Sequence, residues 1–142
     1  LKPFLLDINV IVALFWRSNV HHTAAHQWLA DSRHAGVRTC PITQAGFLRI
    51  VSSARYSADR LQVAEARATL GELLSMDEHG FWPDDLPLEE ALELAGTISG
   101  HQQITDAYLL GLAIAHGGVL ATFDRGVLGL RGAKAHVELI TS

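Results

Sequence analysis

Cysteine is nearly absent from this chain. Cys40 is the only one, which excludes an internal disulfide and a cysteine-built zinc site. Basic charge is also short. Eleven Lys and Arg face fifteen Asp and Glu, for a net charge of −4, so there is no broad cationic footprint of the kind that holds nucleic acid. An RNA partner would need a local basic patch or bound cations. No apolar run has the length of a membrane span, and no secretory signal is visible, so a cytoplasmic setting with no membrane contact is expected. The chain begins at Leu1 and not at methionine, so a trimmed start is expected.

Apolar residues, in contrast, are plentiful. They make up 49% of 142 residues, charged residues make up 18%, and the mean hydropathy is +0.19. That balance suits one globular domain spanning 1–142 and argues against disorder. Apolar runs at 4–8, 37–40, 119–123 and 136–140 read as short buried strands, and 81–82 as a further short one. Between them lie helical stretches. One follows Asn9 directly, and one ends at Gly36. A third is capped by Thr43, and a fourth runs over 58–76, capped by Ser57. There Val63, Ala66, Leu70 and Leu73 share a face. A fifth starts after Pro87, and a sixth runs over 106–116 after Thr105 and stops at Gly117 and Gly118. Strands alternating with helices predict a three-layer α/β sandwich around a mostly parallel sheet.

In such a sheet every strand ends, and every following helix begins, on one edge, and ligands bind there. Asp7 lies at the end of the first strand, in the otherwise apolar "FLLDINVIVALF". Gln44 lies just past the second strand, Asp106 at the start of a helix, and Asp124 just past "VLATF". The stretch 106–116 makes about 16 Å of helix, and 119–123 makes about 16 Å of strand. The chain therefore leaves the edge at Asp106 and returns to it at Asp124. Three carboxylates at one place repel, and a cation relieves that repulsion. Oxygen donors without cysteine suit a hard ion, Mg²⁺ or Mn²⁺.

Other candidates have plainer readings. His22 and His26 have i, i+4 spacing but no third ligand, so they read as a helix face. His101 lies close before Asp106. Arg49, Arg55 and Arg60 flank one helix junction as ordinary surface charge or an RNA-binding patch. Trp16, Trp28, Phe47, Phe81 and Trp82 read as core or interface.

The stretches "LLDINVIVAL", "CPITQAGFLRIV", "ITDAYLLGLAIAHGGVLATFDRG" and "HVELI" together resemble the PIN domain, and within it the VapC-type toxins. The resemblance implies a metal-dependent endoribonuclease that cuts RNA, acts as a homodimer and is held inactive by a VapB-type antitoxin. It implies that Asp7, Asp106 and Asp124 form the acidic Mg²⁺ (or Mn²⁺) site. Asn9 and Thr122 match supporting polar positions, and Arg125 falls beside the site. Where the family usually has Glu, this chain has Gln44, an uncharged ligand, which predicts weaker metal affinity. It also leaves open a PIN-like module that binds antitoxin or RNA without cutting. A phosphatase of the haloacid dehalogenase type also places Asp after its first strand, but needs a second Asp two residues on, where this chain has Asn9.

Overall fold

The structure, a computed structural model, describes residues 1–141. In chain order its elements are β1 (Phe4–Leu6), α1 (Ile8–Phe15), α2 (His22–Ser32), β2 (Val37–Thr39), α3 (Pro41–Val51), α4 (Val63–Leu74), β3 (His79–Phe81), α5 (Leu88–Ala95), α6 (Ile104–Ala115), β4 (Val119–Thr122) and β5 (Val137–Leu139). The strands form one five-stranded sheet in the order β3-β2-β1-β4-β5, with every pairing parallel. The sandwich expected from the alternation of strands and helices is the one observed.

The strand order reverses at β1. The chain steps from β1 to β2 on one side, and only much later places β4 on the other. A crevice opens between the carboxyl ends of strands where such a reversal occurs. Asp7 follows β1, and Phe123 and Asp124 follow β4, so both flank this crevice.

Alternation along β1 divides the core. Leu6 faces a cluster with Val10, Ile11, Phe47, Val51 and Leu73, on the side of α1 to α4. Leu5 faces the other cluster, with Ala91, Leu109, Leu112, Leu120 and Val127, on the side of α5 and α6. Each fully buried Leu or Phe contributes about 1.5–3 kcal/mol relative to exposure. The packing of α5 on α6 is close because Gly111 lies against the Ala91 carbonyl, where a β-carbon would collide. Gly117, at φ 72°, turns the chain from α6 into β4. No helix among the described residues is long and apolar enough to cross a membrane.

Several helix starts differ from the sequence expectation. The fourth helix begins at Val63 and not near residue 58, because Gln62 and Glu65 form a reciprocal cap, with Gln62 N–H donating to Glu65 Oε1 at 3.0 Å. Ser57 instead closes a local turn by accepting from Asp59 N–H at 3.1 Å. Val63, placed by periodicity on the inward face, is 56% exposed, because it is the first helical residue and overhangs the end of the core. Cys40 and not Thr43 precedes α3, with Pro41 at its first position and Thr43 Oγ1 accepting from Cys40 N–H at 3.0 Å. Trp28, Phe47 and Trp82 are buried as expected, but Phe81 is exposed at the edge strand.

Candidate active site

Asp7 closes the gap between β1 and α1. As the N-cap of α1 it accepts from Ile8 N–H through Oδ1 at 2.7 Å. Its Oδ2 accepts from Thr122 Oγ1 at 2.7 Å. Thr122, the last residue of β4, is fully buried. Its hydroxyl oxygen also accepts from Asn9 Nδ2 at 3.3 Å and from Asp124 N–H at 3.0 Å. Asn9 Oδ1 completes the stitch by accepting from Phe123 N–H at 3.3 Å. The hydroxyl of Thr122 thus joins the first and fourth strand ends, and each polar group in the junction has a partner.

Asp124 caps the short turn that follows, with Oδ1 accepting from Gly126 N–H at 2.8 Å. Asp106 lies in the first turn of α6, which begins at Ile104 after a 3₁₀ turn at His101–Gln103. Burial, then the charges of Asp7 and Asp124 and a hydrogen bond with Asp124, push the Asp106 carboxyl up to about 7. Burial also raises Asp7, against the lowering effect of its bonds from Thr122 and Ile8, and Asp124 adds to the rise. Segments far apart in sequence therefore bring Asp7, Asp106 and Asp124 within electrostatic reach of one another. At neutral pH the crowding is relieved either by a proton held between Asp106 and Asp124 or by a cation.

A hard dication fits this donor set. The carboxylates are oxygen ligands, they repel one another, and two of them approach closely enough to share a proton. As they stand, no three Asp, Glu, His or Cys groups among the described residues are placed to hold a metal ion. An ion such as Mg²⁺, which keeps several waters, would be held by these acids directly or through water.

Gln44 is held by its neighbours on the sheet. Its Nε2 donates to Thr39 Oγ1 at 2.9 Å, and Thr39 Oγ1 lies 2.7 Å from His79 Nε2. His79 also donates to the Leu74 carbonyl, and burial and Arg38 lower its pKa, so the neutral ring accepts from Thr39 through Nε2. This chain of bonds was not foreseen from sequence. It depends on β2 and β3 pairing with Thr39 beside Phe81, which no local pattern announces.

The remaining candidates fall in different places. Arg125 is exposed and lines a cleft with His21 and Phe123, whose rings stack at 4.4 Å. His101 is exposed and lines another cleft, together with Asp106 and Asp124. His22 Nδ1 and His26 Nε2 lie 2.8 and 2.7 Å from the carbonyls of Ala13 and Leu14 and so satisfy the last turn of α1, the structural role their helix face implied. Arg49, Arg55 and Arg60 are exposed on α3 and the connection after it. A cleft of about 600 Å³ between α2 and β5 is lined by none of the three acids.

A parallel α/β sandwich with an acidic crevice at its strand reversal is thus the class that fold and geometry define. The family model for the PIN domain matches residues 4–131. Ribonuclease VapC39 of Mycobacterium tuberculosis (strain ATCC 25618 / H37Rv) is 42% identical over 123 residues, covering 84% of this chain and 87% of that protein. Ribonuclease VapC38 of the same strain is 39% identical over 139 residues, covering 96% and 97%. Among solved structures, VapBC2 from Rickettsia felis bound to a promoter DNA fragment matches with a TM-score of 0.66 at 18% identity, covering 98% of this chain and 99% of that one. FitAcB from Neisseria gonorrhoeae matches with a TM-score of 0.60 at 21% identity, covering 94% and 95%; these two show the fold. The chain belongs to the PIN-domain family and, within it, to the VapC type.

Proposed function

We propose that this protein is a metal-dependent endoribonuclease toxin that cleaves RNA phosphodiester bonds. The observation that carries the reading is the crowding of the Asp106 carboxyl by Asp7 and Asp124 at the crevice between β1 and β4. The ribonuclease names of the relatives support it. Asp7, Asp106 and Asp124 would hold Mg²⁺ or Mn²⁺. When bound, the ion would offset their charge, polarise the phosphodiester and lower the pKa of attacking water.

The chain's own residues supply position. Ile8 N–H and Thr122 Oγ1 fix Asp7, Gly126 N–H fixes Asp124, and the packed helix α6 carries Asp106. A site held this way is preorganised, so little reorganisation is needed when substrate arrives. Asn9 and Thr122 orient the acids, Gln44 offers a neutral oxygen at the same edge, and Arg125 stands beside them.

A VapB-type antitoxin partner belongs to the same reading. It is supported by structural neighbours described as VapBC2 and FitAcB. A homodimer, a cytoplasmic setting and a single PIN-like domain over 1–142 complete it. The test is incubation of purified protein with structured RNA and Mg²⁺ or Mn²⁺, beside an EDTA control and Asp7→Asn. Cleavage by the parent chain with metal only, lost in the variant, is expected. Cleavage retained by a clean, folded Asp7→Asn preparation would contradict the scheme.

A further inference from the structure

The loop after β4 runs between two clefts, and its residues alternate between them. Asp124 and Gly126 line one, and Phe123 and Arg125 line the other. The loop is therefore a ridge with the acids on one flank, and the two clefts differ in chemistry.

The first cleft extends from Asp106 and Asp124 to the segment 99–103 and encloses about 530 Å³. That volume is within the range of about 300–1,000 Å³ common for small-molecule sites. Among the described residues no Lys or Arg lines it. Asp106 and Asp124, the proposed metal ligands, line one part of it and would face the phosphodiester, whereas the part formed by 99–103 carries no carboxylate, Lys or Arg and suits an uncharged polar group. It offers amide and imidazole chemistry. Gln103 Oε1 accepts from Ser99 N–H at 2.8 Å and Ser99 Oγ at 3.0 Å, which turns its Nε2 into an available donor. His101 and Gln102 are exposed side chains in the same lining. Side-chain amides match the donor and acceptor edge of a nucleobase, and single-stranded RNA is read by splaying bases into such sites.

The second cleft is smaller, about 270 Å³, and carries the opposite charge. Arg125 is exposed and in no ion pair among the described residues. Beside it the His21 ring stacks on Phe123 at 4.4 Å and 13°. A free guanidinium is suited to a phosphate.

We infer that single-stranded RNA straddles the 123–126 ridge, with one nucleobase in the part of the first cleft bounded by His101, Gln102 and Gln103 and a neighbouring phosphate on Arg125. The acids then face the backbone between the two. This rests on the ribonuclease reading and assigns its substrate-recognition residues.

The test uses the full chain carrying Asp7→Asn, so that RNA is not consumed, and fluorescein-labelled oligo-A, oligo-C, oligo-G and oligo-U RNA in Mg²⁺. Affinity is measured by anisotropy at several salt concentrations, and circular dichroism verifies folding. Arg125→Ala is expected to weaken all four RNAs alike and to reduce the slope of log K against log salt by about 0.7. His101→Ala and Gln102→Ala are expected to shrink the differences among the four RNAs and to leave that slope unchanged. Equal affinity of Asp7→Asn for all four, an unchanged slope in Arg125→Ala, or unchanged base preference in both cleft variants would overturn the inference. Failure to bind RNA at all would overturn it together with the ribonuclease reading. Discriminating binding by a parent chain that never cleaves would sink hydrolysis alone.

Discussion

Thr122 Oγ1 donates to Asp7 Oδ2 at 2.7 Å, and both residues are buried. The same oxygen accepts from Asn9 Nδ2 and Asp124 N–H. Thr122→Val keeps the shape and removes every one of these bonds. Stability should fall by about 1–3 kcal/mol, the cost of unsatisfied buried polar groups. Urea unfolding measures this, with Thr122→Ser as the control that retains the hydroxyl. A Val variant as stable as Ser would show that the stitch is not needed for the fold.

Asp106→Asn should separate stability from activity. The substitution removes the repulsion that Asp7 and Asp124 impose on the carboxylate. Without metal at pH 8 the variant should melt above the parent chain, and it should lose RNA cleavage. Equal melting temperatures would mean that the acids do not interact strongly.

The same carboxyl sets a pH window. It moves from 3.8 to about 7 on folding, so between those values the folded state binds the extra proton. Stability from this group is complete below about 4 and is lost as pH rises through 7. The melting difference between Asp106→Asn and the parent should therefore be small at pH 5 and should grow toward pH 8. Mg²⁺ should raise the parent's melting temperature more at pH 8 than at pH 5, where protons compete for the same oxygens. A difference independent of pH would contradict the assignment.

Gln44→Glu should reverse the bonds behind it. A carboxylate cannot donate, so Thr39 would donate to it and His79 Nε2 would have to carry a proton. The variant should raise the pKa of His79, because the ring would then donate from both nitrogens, to Thr39 and to Leu74, and nitrogen NMR of the ring would show it. Mn²⁺ should bind more tightly, since a fourth negative charge joins the edge. Unchanged metal affinity and an unchanged His79 spectrum would disconnect Gln44 from both.

Gly111→Ala should destabilise the fold by about 1–3 kcal/mol, as overpacking does, because a β-carbon there meets the Ala91 backbone. Gly71, with open space around it, is the matched control. Chemical denaturation compares them.

Much of the architecture was legible because parallel strands impose a rule: all their carboxyl ends share one edge. That rule, with the matched lengths of the 106–116 helix and the 119–123 strand, predicted Asp7, Asp106 and Asp124 at one rim, and Asp7 and Asp124 do act on the Asp106 carboxyl. Helix starts were harder. Ser57 and Gln62 are both competent caps, and the Glu65 side chain, with its reciprocal bond, decides in favour of Gln62. The Thr39 and His79 pair was invisible for another reason. Its partners are fixed by strand register, and a buried threonine next to an arginine carries no local signal. The cleft at 99–103 likewise has no periodicity, since its shape comes from a turn packed beside a distant loop.

The centre strand of the sheet is the first one synthesised, and its neighbour β4 is among the last. A ribosome emits chain from the amino end at about 5–20 residues per second, so Asp7 emerges long before Thr122 exists to receive it. A nascent polypeptide that ends before β4 holds Asp7 and Asp106 but neither Thr122 nor Asp124, and has no crevice. An RNA-cutting enzyme wired this way would be inert while still attached to the machine that makes it, and fragments released early would be harmless to the cell's own transcripts. A purified 1–118 fragment with no RNA cleavage under conditions where the full chain cuts is the matching observation.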